Sequence, residues 1–246
     1  MTILVTRPSP AGEALVERLC KLGHAACHSP LIDFSPGSEL PSLSARLAAL
    51  REGDMLFALS QHAVHYAAAT LMQAGVSWPA TPVYYAIGRT TALALHQATS
   101  HAVAYPPERE TSEMLLQLPE LQNISGKNAL LLRGNGGREL LATTLAERGA
   151  QVSYCECYQR SPVYYDGPEQ SRHWQQLGID RLVITSGDML HQLYALVPQY
   201  YRESWLLHCQ VIVVSERLAL EARQLGWRDV LIADNADNDA LVRLLS

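Results

Sequence analysis

The chain predicts an α/β fold made of two parallel-sheet units. Two observations carry that prediction. Short apolar, β-rich runs alternate with amphipathic helical stretches from end to end, and the second half of the sequence repeats the first.

Sliding the chain along itself by 126 positions lays "ILVTRPSPAGEALVERLCKLGHAA" on "ALLLRGNGGRELLATTLAERGAQV", with Arg7 on Arg133, Glu13 on Glu139, Leu15 on Leu141, Leu19 on Leu145 and Gly23 on Gly149. Each copy opens with a short apolar strand and an arginine-led turn. An amphipathic helix, a helix-ending glycine and a second strand follow. Further along, "LFALSQHAV" falls on "LVITSGDML", so Ser60 meets Ser186, and "TSEMLL" falls on "DNDALV". "AIGRTTALAL" matches "VVSERLALEA" after a slip of one residue. The second copy reads as strands "ALLL", "QVSYCECY", "RLVITS", "QVIVVS" and "DVLIA" separated by helices. Such alternation predicts parallel sheets covered by helices on both faces. Polar turns at 35–41 ("SPGSELP") and 161–169 ("SPVYYDGPE") occupy matched points of the two copies and are the expected crossings between domains. The tyrosine pairs at 84–85, 164–165 and 200–201 are expected to alternate between core and surface.

The net charge of −5 argues against general nucleic-acid binding, which calls for a basic face. No apolar run reaches the ~20 residues that span a bilayer. The start, "MTILVTRPSP", has no basic leader region and reaches Arg7 early, so the expected compartment is the cytoplasm, with no membrane partner. Five cysteines (Cys20, Cys27, Cys155, Cys157, Cys209) form no disulfide framework and are expected to be reduced and mostly buried. Cys155 and Cys157 share a strand face without Cys-x-x-Cys spacing, and His62 and His65 share a helix face without a third ligand, so no metal site is expected.

Ligands of parallel sheets gather outside the carboxyl ends of the strands. Six turns of this chain stand there, "TRPSPAG" and five that place small or hydroxylated residues at helix starts: Ser60; Gly88 with Thr90 and Thr91; Gly136 with Gly137; Thr185 with Ser186 and Gly187; and Ser215. First-turn N–H groups lack helical partners, and the helix dipole favours an anion there. Arg7, Arg89, Arg133, Arg138 and Arg217 stand in or beside the same turns and suit carboxylates. Each such residue is also a conventional helix cap when taken singly; six turns with five arginines point instead to a distributed anion site. Nucleotide fingerprints fail: Glu139 stands where "GNGGRE" would need its last dinucleotide-binding glycine, and no Gly-Lys-Ser/Thr occurs. A non-catalytic binder of polyanionic small molecules stays open as an alternative. Tyr158, at the end of "CECYQR" near a crossing, reads either as a proton donor in a cleft or as a packing aromatic.

"ILVTRPSPAGEALVERL", "FALSQHAV", "YAIGRTTALAL", "LLLRGNGGREL", "CYQR", "VITSGDML" and "DNDALV", in this order, resemble the uroporphyrinogen-III synthase family of the enterobacterial type over the whole chain. The resemblance implies two Rossmann- or flavodoxin-like domains joined by a two-stranded β-ladder through "LIDFS" and "CYQRSPVYY". One domain would hold 1–34 and 161–246, the other 35–160. The implied reaction is cyclisation of hydroxymethylbilane, a linear tetrapyrrole with eight carboxylates, to uroporphyrinogen III, with loss of water and inversion of ring D through a spiro intermediate. No cofactor is implied. A monomer is expected, in transient contact with the upstream bilane-forming enzyme. Carried over by position, Tyr158 assists departure of the hydroxyl, Ser60 and Ser186 are the serines of the cleft turns, and Thr91 is the threonine of the "IGRTTA" turn. Arg7, Gly88, Arg89, Thr90, Gly136, Gly137, Arg138, Thr185, Gly187, Ser215 and Arg217 complete the expected substrate contacts. "VSERLA" carries Ser215 and Leu218 where "IGRTTA" has glycine and threonine, and "LSQH" departs from the family's usual wording at Gln61 and His62.

Overall fold

A computed structural model describes residues 1–245. In chain order the elements are β1 (Thr2–Val5), α1 (Ala11–Lys21), β2 (Ala25–His28), β3 (Ile32–Pro36), α2 (Leu43–Ala48), β4 (Met55–Ala58), α3 (Gln61–Ala74), β5 (Val83–Ala86), α4 (Arg89–Thr99), β6 (Val103–Ala104) and α5 (Ser112–Leu115). They continue with β7 (Asn128–Gly134), α6 (Leu140–Glu147), β8 (Gln151–Pro162), α7 (Gly167–Gln176), β9 (Ile179–Val183), α8 (Gly187–Leu196), α9 (Gln199–Ser204), β10 (Gln210–Val213), α10 (Glu216–Leu225), β11 (Val230–Ile232) and α11 (Asn238–Leu245). The chain divides into two compact units. One holds Met1–Phe34 and the chain from Ser161 onward, the other Ser35–Arg160.

The first unit has a five-stranded sheet in the order β11-β10-β9-β1-β2, and its strand pairs are parallel. The second has the order β3-β8-β7-β4-β5-β6, with β4 to β8 in parallel register. Read from β6, the run β6-β5-β4-β7-β8 follows the same plan as β11-β10-β9-β1-β2. Each sheet is wound in both directions from its central strand, β4 or β9, so each has a point where the winding reverses. There the connections diverge and leave a crevice at the carboxyl edge.

Alternating side chains on the strands feed two apolar layers in each unit. In the second unit Leu56, Ala58, Tyr84, Leu130 and Leu132 pack with Val64 and Leu71 of α3 on one face. Met55, Phe57, Tyr85, Ala129 and Leu131 pack with Leu141 and Leu145 of α6 on the other. In the first unit Leu4, Leu182, Val211 and Val213 meet Trp174, Leu190 and Trp227, while Ile3, Val5, Val183 and Ile212 meet Leu15, Leu19 and Leu241. A fully buried leucine contributes about 2 kcal/mol, so this double coverage is what holds each sheet.

Double coverage also corrects one expectation. Tyr84 and Tyr85 do not alternate between core and surface; both are buried, each in its own layer, because β5 has no solvent face. Tyr164 and Tyr200 are exposed as expected of one member of each pair. Cys155, Cys157 and Cys209 are buried, and all five cysteines are free thiols.

Helix ends follow local chemistry. Ser60, Ser186 and Ser215 accept hydrogen bonds from Ala63, Met189 and Leu218 N–H at the starts of α3, α8 and α10, each worth about 1 kcal/mol. Gly23 and Gly149 take the left-handed conformation after α1 and α6 (φ 86° and 88°), which a side chain would strain. At the amino edge of the second sheet, buried Asp54 accepts from Arg51 N, Asn128 N and Asn128 Nδ2 at 2.8–2.9 Å. Burial alone would raise its pKa, but these hydrogen bonds outweigh it and hold the carboxyl below its ordinary value. Replacing Asp54 by alanine should lower the unfolding free energy by about 3 kcal/mol, since charged acceptors are lost and Asn128 is stranded. Urea denaturation measures this, and a change under about 1 kcal/mol would show that the clasp is not structural.

Candidate functional site

The carboxyl edge of the second sheet carries a cavity of about 370 Å³, lined among others by Leu59, Ser60, Ile87, Glu110, Arg133, Gly134, Gly136, Gly137, Arg138 and Tyr158. Its polar groups arrive from several strand ends. Ser60 follows β4 and starts α3, Gly134 ends β7, and Tyr158 lies on β8. Volume and composition fall in the range of small-molecule sites.

Tyr158 owes its place to a register shift. Arg133 pairs with Glu156, but the next residue, Gly134, pairs with Tyr158, so Cys157 is an extra residue in β8. Strict alternation would put Tyr158 with Tyr154, on the face opposite Cys155 and Cys157. Instead it packs against the same apolar layer as the two thiols, as a bulge that re-aims a side chain allows. Its ring stacks near Tyr66 (centroids 6.1 Å) and lies 5.7 Å from the His62 ring. Gly134 makes room for it: a Cβ there would stand 2.5 Å from Tyr158 Cζ. Ser60 Oγ donates to Tyr158 Oη at 3.2 Å while accepting from Ala63 N at 3.1 Å. The hydroxyl therefore links the phenol to the positive end of α3. His62 has its pKa lowered, first by burial and then by the charges of His65 and Arg160.

Two arginines face the cavity. Arg133 is 7% exposed and bonds Glu139 Oε1 at 2.8 Å. Its guanidinium lies 5.0 Å from the centre of the Tyr154 ring, and Tyr154 Oη donates to the other Glu139 oxygen at 2.6 Å. The Tyr154 bond, and after it Arg133, keeps the Glu139 carboxyl below its ordinary range. Burial, and then Glu139, pushes the Tyr154 phenol up. Arg138 is exposed and meets Glu113 at 3.1 Å.

The cavity thus brings together Ser60, Gly136, Gly137, Arg138 and Tyr158. Gly136 and Gly137 take φ values of 82° and 118° in the turn. They precede α6 by several residues and do not stand at its first turn as expected, because the helix begins only at Leu140. Gly88, Arg89, Thr90 and Thr91 begin α4, next to Ile87 of the cavity wall, but Thr91 is buried under its helix. In the first unit Arg7 donates to Asn238 Oδ1 at 2.5 Å, and burial lowers its pKa against the opposing pull of Asp237. Thr185 reaches Met189 Sδ, and Ser186 and Ser215 cap their helices. Arg217 pairs with Glu221, whose second oxygen stands 3.0 Å from the position of a Gly187 Cβ. Among the described residues no cluster of His, Cys, Asp and Glu could hold a metal, and no helix is long and apolar enough to cross a membrane.

In the sequence Glu110 carries no signal at all, Gly134 is only a glycine of the failed dinucleotide fingerprint, and Arg133 is only one of the turn arginines. The repeat that aligns Arg133 with Arg7 was the one signal for it. Nothing local marks Glu110, which reaches the cavity from a loop.

Comparison with known proteins identifies the family. The family model for uroporphyrinogen-III synthase HemD matches residues 13–243. The uroporphyrinogen-III synthases of Escherichia coli K12 and Salmonella typhimurium LT2 are each 62% identical over 245 residues, covering all of both chains. Among solved structures, a mutant uroporphyrinogen III synthase from the extremely thermophilic bacterium Thermus thermophilus matches with a TM-score of 0.62 at 20% identity, covering 100% of this chain and 97% of its own. The Helicobacter pylori 26695 enzyme matches at 0.58 and 18%, covering 99% and 97%. These distant structures share the fold. With a family match across nearly the whole sequence and full-length relatives at this identity, the chain belongs to the uroporphyrinogen-III synthase family.

Proposed function

We propose that this chain closes hydroxymethylbilane to uroporphyrinogen III, with loss of water and inversion of ring D, and that it does so as a cofactor-free cyclising lyase. The single observation that carries the site assignment is the Ser60–Tyr158 hydrogen bond in a cavity that also presents Arg133, Arg138 and a glycine turn. Family membership supports the same reading.

The substrate carries its own reactivity. The lone pair of the terminal pyrrole nitrogen expels the hydroxyl, which takes a proton and leaves as water, giving an azafulvene. The last ring attacks through its substituted carbon to form a spiro intermediate. Fragmentation and reclosure then invert that ring, and a proton is lost as aromaticity returns. Tyr158 Oη is the group we assign to protonate the departing hydroxyl. The Ser60 O–H that donates to it strengthens as negative charge develops on the phenol oxygen. Uncatalysed head-to-tail closure gives the uninverted isomer, so the protein must hold a fold of the chain that favours the spiro path. A preference of ~3 kcal/mol suffices for better than hundredfold selectivity.

The substrate's carboxylates are assigned to Arg138 and Arg89 and to the main-chain N–H groups at Gly136, Gly137, Gly88, Thr90, Thr91 and the turn that Ser60 opens in one domain (35–160). Arg7, Thr185, Ser186, Gly187, Ser215 and Arg217 take that role in the other (1–34 with 161–246). The proposed setting is a cytoplasmic monomer that receives its unstable substrate in transient contact with the enzyme that makes it.

Adding the purified protein to freshly made hydroxymethylbilane and separating the oxidised isomers tests the reading; the type III isomer should dominate, and uninverted product alone would reduce the chain to a binder. Tyr158→Phe should lower kcat by about a hundredfold or more while changing product affinity far less; equal losses in both would remove the proton donor. Gly134→Ala should also cost about a hundredfold in kcat, because its Cβ dislodges the Tyr158 ring from its seat. Wild-type kcat in that variant would show that the seat does not matter.

A further inference from the structure

Three electropositive groups at or beside this cavity are each met by one of the chain's own carboxylates. Glu139 holds Arg133 at 2.8 Å and Glu113 holds Arg138 at 3.1 Å. The third case is Glu110, on the loop between β6 and α5. One of its oxygens accepts from Arg89 N, in the first turn of α4, at 2.9 Å. The other presses against Gly88, where a Cβ would collide with it. Glu110 is exposed and lines the same cavity as Ser60 and Tyr158. The first unit repeats the theme with Glu221, between Gly187 and Arg217.

We propose that Glu110 is a self-ligand: its carboxylate occupies the place that a substrate carboxylate takes, and it must be displaced for substrate to bind. The inference rests on the carboxylate-binding role proposed above. That a carboxylate fits the place is visible in the structure, because one is there. Exchanging it for another carboxylate conserves charge and hydrogen bonds, so displacement is cheap at an exposed site. The tether also makes the place selective. A side chain on a short loop competes at an effective concentration in the millimolar range, which a free mono- or dicarboxylate does not exceed. A ligand that brings several carboxylates on one frame displaces Glu110, Glu113 and Glu139 together and gains by multivalency. The glutamates are thus specificity-determining residues that exclude small metabolite anions from a site built for a polyacid.

The test compares wild type with Glu110→Ala, and with Glu108→Gln as a control that removes a nearby charge from the same loop without vacating the place. Uroporphyrin III serves as a stable octacarboxylate probe and citrate as a small one. Glu110→Ala should bind uroporphyrin III about threefold to tenfold more tightly and should become sensitive to citrate inhibition at concentrations that leave wild type unaffected. Glu108→Gln should match wild type. Unchanged or weaker uroporphyrin III binding by Glu110→Ala would overturn the proposal, as would an equal gain in Glu108→Gln, which would assign the effect to general charge. The affinity ratio does not depend on turnover. Should wild type yield only uninverted isomer, the catalytic reading falls while the ratio still decides the self-ligand.

Discussion

A parallel sheet sends every connecting helix away from the carboxyl ends of its strands, and this constraint organises both units. Helix starts gather along one edge, each with first-turn N–H groups that its own helix cannot satisfy. The chain meets them with small capping residues: Ser60, Ser186 and Ser215 each cap a helix there, and Gly88 opens another. Within each unit the result is a row of modest positive sites in place of one deep phosphate cradle. A flexible ligand with many acid groups can use such a row, and the failed fingerprint at Glu139 argues against a nucleotide.

On this edge the catalytic assignment depends on a local irregularity. One extra residue in β8 turns Tyr158 to the face it would otherwise avoid, and the missing side chain of Gly134 gives its ring room. Ser60 then serves two purposes, capping α3 and fixing the phenol oxygen. The aromatic wall of Tyr66 and His62 limits how far the ring can swing. The site is therefore rigid where a proton would move, while its carboxylate partners, Glu110 and Glu113, sit exposed on a loop and a short helix.

Much of the frame could be read from residues alone, because strand and helix periods leave strong marks. "ILVTR" and "ALLLRG" announce β1 and β7, with Arg7 just beyond the end of one and Arg133 next to the end of the other, and the strand positions read from the second copy correspond to β7 through β11. Less legible was anything decided across the sheet. Tyr84 and Tyr85 looked like an inside–outside pair, since no local signal says that both faces are covered. The bulge at Cys157 leaves no trace in "CECYQR", because it is set by pairing with a strand about twenty residues away. Gly136 and Gly137 resembled a helix start, yet the helix waits until Leu140. Glu110 is an ordinary loop glutamate until the fold carries it to Arg89.

The claim that carboxylates bind through amides of helix starts and of the glycine turn before α6 is most directly tested by amide-resolved NMR during titration with uroporphyrin III. The largest shifts should fall at Gln61–Ala63, Arg89–Thr91 and Gly136–Arg138, and in the other unit at Gly187–Met189 and Glu216–Leu218. Shifts confined to exposed helix faces away from the carboxyl edges of the sheets would contradict it.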